Sequence, residues 1–121
     1  MMHENSMEAY ALGRQRMGRR TQLVLDVFRL EWENHGRGLT ARQCLERARR
    51  IDHNVPYDLN SVRPRITGLC STVREAQRSG SAVPAGLVEC GTVRDSVSGK
   101  KVAVWRYSAP ATEGAQLALF A

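Results

Sequence analysis

The sequence predicts an α+β domain of three helices followed by a β-hairpin, with a flexible tail at each end. Three observations carry this. Apolar residues recur at helical spacing in three consecutive segments, and glycine and capping residues separate those segments. Two β-prone runs then follow, on either side of a glycine-containing tip.

The arm at residues 1–17 mixes Met, Glu, Ser, Gly and Arg without sustained periodicity and reads as mobile. Within "RQRMGRR", residues 14–20, the arginines are either a basic arm for phosphates or a charged lead-in to the first helix. The domain is expected over residues 18–108.

Residues 21–35, "TQLVLDVFRLEWENH", place Leu23, Val27 and Leu30 on one stripe with Val24, Phe28 and Trp32 beside it, leaving Gln22, Asp26, Arg29 and Glu33 as the polar edge. So wide an apolar arc must be covered on more than one side, by other helices or by a second copy in a homodimer. "HGRGL" ends this helix. Thr40 and Gln43 then form the Thr-x-x-Gln pattern that satisfies free N–H groups at a helix start, so a second helix begins at Ala41. Ala41, Cys44, Leu45 and Ala48 form its inner face, with Arg42, Glu46, Arg47, Arg49 and Arg50 outward. Residues 51–58, "IDHNVPYD", connect to the third helix.

That helix is expected from Leu59 or Asn60 to Arg78, with Val62, Ile66, Leu69, Val73 and Ala76 as its stripe. If Asn60 is the N-cap, Pro64 falls in the first turn, where its missing N–H has no helical partner. "SGSAVPAG" is a loop. Residues 87–94, "LVECGTVR", and 101–108, "KVAVWRYS", make the hairpin, with core packing as the main role of Trp105 and Tyr107. Residues 109–121 open with a small-residue linker.

Composition bounds the function. The chain has 121 residues, 42% hydrophobic and 25% charged, which fits one domain plus tails. No apolar run approaches the roughly 20 residues of a membrane-spanning helix, and no secretory signal is evident, so a soluble cytoplasmic protein is expected, with no membrane partner. The three cysteines, Cys44, Cys70 and Cys90, sit among apolar neighbours and read as small buried thiols. His3, His35 and His53 do not pair with them at ligand spacing, so no metal or cofactor is expected. Acidic residues are scattered, without a nucleophile motif or phosphate loop, and an enzyme is not expected. Net charge is +6, carried almost wholly by arginine, which suits a polyanionic partner or reflects the coding habits of a GC-rich genome.

The stretches "GLTARQCLERA", "NSVRPRITGL" and "GLVECGTVRDSVSGKKVAVWRY" resemble the winged helix family, a helix-turn-helix variant found in small bacterial and phage DNA-binding proteins. The resemblance covers residues 21–107. It departs from a simple helix-turn-helix in its long connector before helix three and in the loop before the wing. It implies that helix three meets the DNA major groove and presents Asn60, Ser61, Arg63, Arg65, Thr67, Ser71 and Arg74 to duplex DNA. Pro64, Gly68 and Ser71 are small and lie opposite the stripe, which lets the helix backbone sit close to DNA. The wing residues Arg94, Lys100 and Lys101 are expected on the DNA backbone or in a minor groove, or else serve to protect an edge strand from aggregation.

The closing "QLALF" resembles the bacterial clamp-binding motif Gln-Leu-x-Leu-Phe, by which replication and repair proteins dock on the DNA polymerase sliding clamp. Gln116, Leu117, Leu119 and Phe120 match every fixed position. Four specified residues would arise by chance in roughly a few per thousand chains of this length. The resemblance implies that the three apolar side chains fill a groove on the clamp while Gln116 hydrogen-bonds; the alternative is a tail that covers this protein's own surface. The expected function is DNA binding coupled to clamp docking in replication, repair or phage use of a host replisome. A winged helix transcriptional regulator with a structural tail, and a clamp inhibitor without DNA affinity, are the alternatives.

Overall fold

A computed structural model describes residues 18–53 and 58–111. The N-terminal arm, part of the connector and the peptide from Gln116 to Phe120 lie outside the described residues. The element order is α1 (Arg19–His35), α2 (Ala41–Ile51), α3 (Leu59–Ser79), β1 (Gly86–Arg94) and β2 (Lys101–Ser108), the expected α+β sequence.

Helix α1 begins two residues before the expected start and ends where Gly36, in the left-handed region, donates its N–H to the Trp32 carbonyl at 2.9 Å. Its inner face consists of Val24, Leu25, Val27, Phe28 and Glu31. The expected arc is too wide on one side. Leu30 is 43% exposed, and Trp32 lies at the rim, where the Arg106 guanidinium stacks 4.8 Å from its ring.

Helix α2 starts as expected. The Thr40 N–H donates to Gln43 Oε1 at 3.0 Å and the Gln43 N–H to Thr40 Oγ1 at 3.2 Å. Ala41, Cys44, Leu45 and Ala48 are buried, so the helix presents a narrow, small-residue face to its neighbours. Two of its arginines, however, do not simply face outward, because Arg42 and Arg47 reach buried carboxylates.

Helix α3 begins at Leu59, one of the two expected starts, and its cap is the part that differs from expectation. Its N-cap is Asp58, not Asn60: the Ser61 N–H donates to Asp58 Oδ1 at 2.8 Å and the Asp58 N–H to Ser61 Oγ at 3.2 Å. An Asp-x-x-Ser box two residues earlier outcompetes Asn60 because the carboxylate is the stronger acceptor and suits the helix's positive end. Pro64 therefore lies in the second turn, and because its i−4 partner is the Asn60 carbonyl under either cap, the expectation that its missing N–H has no helical partner does not hold. Val62, Ile66, Leu69 and Val73 are buried along the expected stripe.

The strands pair antiparallel from Gly86↔Ser108 to Arg94↔Lys101, with a bulge between Glu89 and Gly91. Leu39, between α1 and α2, pairs with Trp105 on the free edge of β2. The Leu39 N–H donates to the Trp105 carbonyl at 2.8 Å, and the Trp105 N–H returns the bond at 2.9 Å. At the other end, Val83 and Ala111 form a second isolated bridge, tying the chain after β2 to the loop before β1.

Phe28, Ile66, Leu87, Val24 and Val62 are the largest fully buried side chains and lie where the three helices meet the base of the sheet. Each contributes roughly 1.5–3 kcal/mol from removal of apolar surface from water. Tyr107 joins this core and Trp105 packs against it, in agreement with the packing role expected of both. The close seat of the hairpin on α3 depends on Gly86, where a Cβ would collide with the Val73 side chain and lie 2.7 Å from the Leu69 carbonyl oxygen. Among the described residues, no helix is long and apolar enough to cross a membrane.

Candidate nucleic-acid interface

The start of α3, the start of α2 and the wing converge on a groove of about 390 Å³. Arg63 enters it from α3, Arg42 from the first turn of α2, and Lys100 and Lys101 from the hairpin; Ala41, Leu59, Val102, Ala103 and Trp105 form its apolar part. Arg63, Lys100 and Lys101 are exposed, and among the described residues none of them has a carboxylate partner. Three uncompensated cations around one groove create a positive potential that attracts phosphate over roughly a Debye length of about 10 Å.

The other residues expected on α3 are distributed less evenly. Asn60, Thr67 and Arg74 are exposed, and Gly68 has open space where a Cβ would stand, so this side of the helix is bare and low in relief. Thr67 Oγ1 turns back to donate to the Arg63 carbonyl at 3.1 Å. Ser61 is occupied by the cap, its hydroxyl donating to the Asp58 carbonyl at 3.0 Å. Ser71 is half-buried. Arg74 borders a separate hollow with Cys70, Val88 and Glu89.

Arg65 stands apart from Arg63. Two residues apart on a helix means about 200° of rotation, so the two side chains leave from opposite flanks. Arg65 Nη1 donates to the Ser61 carbonyl at 2.8 Å, and its buried Nε has no hydrogen-bond partner. It belongs to the helix's own packing.

At the wing tip, Arg94 donates to the Gly99 carbonyl and braces the turn. Asp95 is only 7% exposed in an otherwise exposed segment. Its Oδ2 accepts the Ser98 N–H at 2.9 Å, and Arg42 Nε lies 3.0 and 3.3 Å from its two carboxylate oxygens. The Ser98 backbone N–H, then the Ser98 side chain and Arg42, hold the Asp95 carboxyl down to about 2. Sequence reading missed this residue, although Asp-x-x-Ser opening a glycine-containing tip signals such a turn.

A second buried acid also escaped it. Glu31 is 7% exposed and bridges Arg37 at 3.1 Å and Arg47 at 3.5 Å, joining α1 to the following loop and to α2. Its spacing from Val24, Val27 and Phe28 already placed it on the inner stripe.

Cys44 and Cys70 are buried and Cys90 is exposed, so the expectation of three buried thiols fails at Cys90, which occupies the bulge of β1. Burial pushes the Cys44 thiol up to about 12, against a small opposing effect of Arg47. Burial likewise raises Cys70, opposed by Arg74 and reinforced by Glu89. Both are held as inert thiols at neutral pH. Among the described residues, no group of three or more His, Cys, Asp or Glu side chains is placed to hold a metal ion. In comparisons with known proteins, no family model, no curated protein and no solved structure matches this chain.

Proposed function

We propose that this chain is a non-enzymatic winged helix protein that binds duplex DNA through α3 and the wing and docks on a bacterial sliding clamp through Gln116, Leu117, Leu119 and Phe120. The observation that carries the DNA half is the convergence of Arg63, Lys100 and Lys101 on one groove beside the bare face of α3. Cations from two elements far apart in sequence, without acidic partners and with a nearly flat helix surface next to them, suit the regular phosphates of a duplex. The clamp half rests on the peptide's match at all four fixed positions. Joining the two contacts in one chain makes the second binding event effectively intramolecular, so two weak contacts give tight localisation.

The test is duplex affinity measured across a salt series for wild type and for the triple variant Arg63→Ala, Lys100→Ala, Lys101→Ala. Loss of three phosphate contacts should flatten the slope of log affinity against log salt by about three. An unchanged slope would refute the groove as the DNA site. For the tail, Leu119→Ala with Phe120→Ala should abolish capture on a purified bacterial sliding clamp, and retained capture would refute the motif. Clamp capture by a wild type with no duplex affinity would instead support the inhibitor reading.

A further inference from the structure

The outer half of the hairpin has almost nothing to rest on. From position 89 to position 101 every residue is exposed except Asp95. The Asp95 N–H donates to the Lys100 carbonyl at 2.8 Å, its carbonyl accepts the Gly99 N–H at 2.9 Å, and its carboxylate holds the Ser98 N–H. Asp95 thereby makes three of the bonds that shape the tip, beside those from Arg94 to the Gly99 carbonyl and from the Lys100 N–H to Ser98 Oγ. The same carboxylate meets Arg42, which lies 53 residues away in sequence in the first turn of α2. Among the described residues, this is the only ion pair that joins the wing to the helical body.

We propose that Arg42 and Asp95 form a latch that fixes the wing tip against α2 and so positions Lys100 and Lys101 opposite Arg63. Its consequence for affinity rests on the DNA-binding reading; its consequence for the wing does not. Both are positioning residues. A two-stranded ribbon is weakly stable by itself and twists readily, so its far end is placed only by what it touches. The single Arg42 Nε–H is shared between both carboxylate oxygens, a charge-assisted bond stronger than a neutral one. The Arg42 side chain is 28% exposed and the Asp95 side chain 7%, so water screens the pair only partly.

A plain electrostatic role predicts something different. If Asp95 were merely an acid among groove cations, removing its charge would strengthen duplex binding and removing Arg42 would weaken it. If the latch positions the wing, both changes weaken binding and their effects do not add.

The experiment uses the full chain as Arg42→Gln, as Asp95→Asn and as the double variant. Asparagine keeps an oxygen for the Ser98 N–H, so the turn can persist while the charge is lost. Two readouts are taken: hydrogen exchange at the Asp95 and Gly99 amides, and affinity for a short random-sequence duplex. Both single variants should speed exchange at the tip about fivefold or more, while core amides such as that of Phe28 keep wild-type rates. Each should weaken duplex binding about three- to tenfold, with the double variant no worse than the poorer single. Wild-type exchange at the tip in both single variants overturns the latch, as does tighter binding by Asp95→Asn. A wild type that ignores duplex DNA while the variants show faster tip exchange overturns the DNA reading and leaves the latch standing.

Discussion

Replacing Gly38 by alanine tests how the segment between α1 and α2 is attached to β2 through the Leu39–Trp105 bridge. An added Cβ would stand 2.9 Å from both Cys90 Sγ and Val104 Cγ1, and closer still to the Trp105 backbone oxygen. The two side-chain atoms can yield, but the carbonyl cannot move without disturbing its bond from the Leu39 N–H at 2.8 Å. Relief therefore requires Leu39 to withdraw from β2, which weakens two backbone hydrogen bonds worth about 1 kcal/mol each. Shifting the buried Leu39 side chain adds an overpacking cost of about 1 kcal/mol or more. The reduced entropy of the unfolded chain returns about 0.4–1 kcal/mol. The net loss is about 2–3 kcal/mol, which lowers the thermal midpoint of a domain this size by on the order of 10–20 °C. Thermal unfolding followed by circular dichroism measures it, with Gly68→Ala as control. Gly68 has open space around a new Cβ, so alanine there should stabilise α3 by about 1 kcal/mol. A Gly38→Ala midpoint within about 3 °C of wild type would refute the argument that close backbone approach requires glycine here.

Two further predictions concern the buried ionisable groups. Glu31→Gln leaves Arg47 partly buried beside a neutral amide, and because both arginines are substantially exposed the loss should be about 1–2 kcal/mol, read from denaturant midpoints. No change would mean the cluster is electrostatically idle. Cys44 gives a sign in pH: its folded thiol is raised to about 12 from an ordinary 9.0, so its contribution is intact below pH 9 and is lost as pH rises from there towards 12. By pH 10.5 that loss should be on the order of 2 kcal/mol, and Cys44→Ala should remove this part of the alkaline slope; an identical slope in the variant would contradict the assignment to Cys44.

The elements with one decisive local signal were legible in the sequence. Thr40 and Gln43 marked the start of α2 to the residue, and the spacing of Val62, Ile66, Leu69 and Val73 identified the inner face of α3. At the start of α3 Asn60 was the expected cap, and Asp58, read as the end of the connector, takes that role because Ser61 three residues on completes a capping box with it. The candidate groove was half legible. Arg63 and the wing lysines were identified individually, but their convergence depends on the seat of the hairpin, which no local pattern encodes. Arg63 and Arg65 were both legible at the start of α3, but the bond from Arg65 to the Ser61 carbonyl depends on the folded helix and carries no local signal. Asp95 and Glu31 were missed because acids in a basic chain read as surface residues until a partner distant in sequence, Arg42 or Arg47, is brought beside them.

The bridge between Val83 and Ala111 has a consequence for reach. It pins the chain just beyond the Gly86↔Ser108 end of the hairpin, whereas Lys100 and Lys101 stand at the opposite end. Eight residues of β2 lie between them, a span of roughly 25 Å at about 3.3 Å per residue. Ala111, the last of the described residues, thus stands at the end of the hairpin away from its tip. A contact made at the hairpin tip and a contact made beside Ala111 would fall at opposite ends of the ribbon, so the length of β2 sets the distance between them.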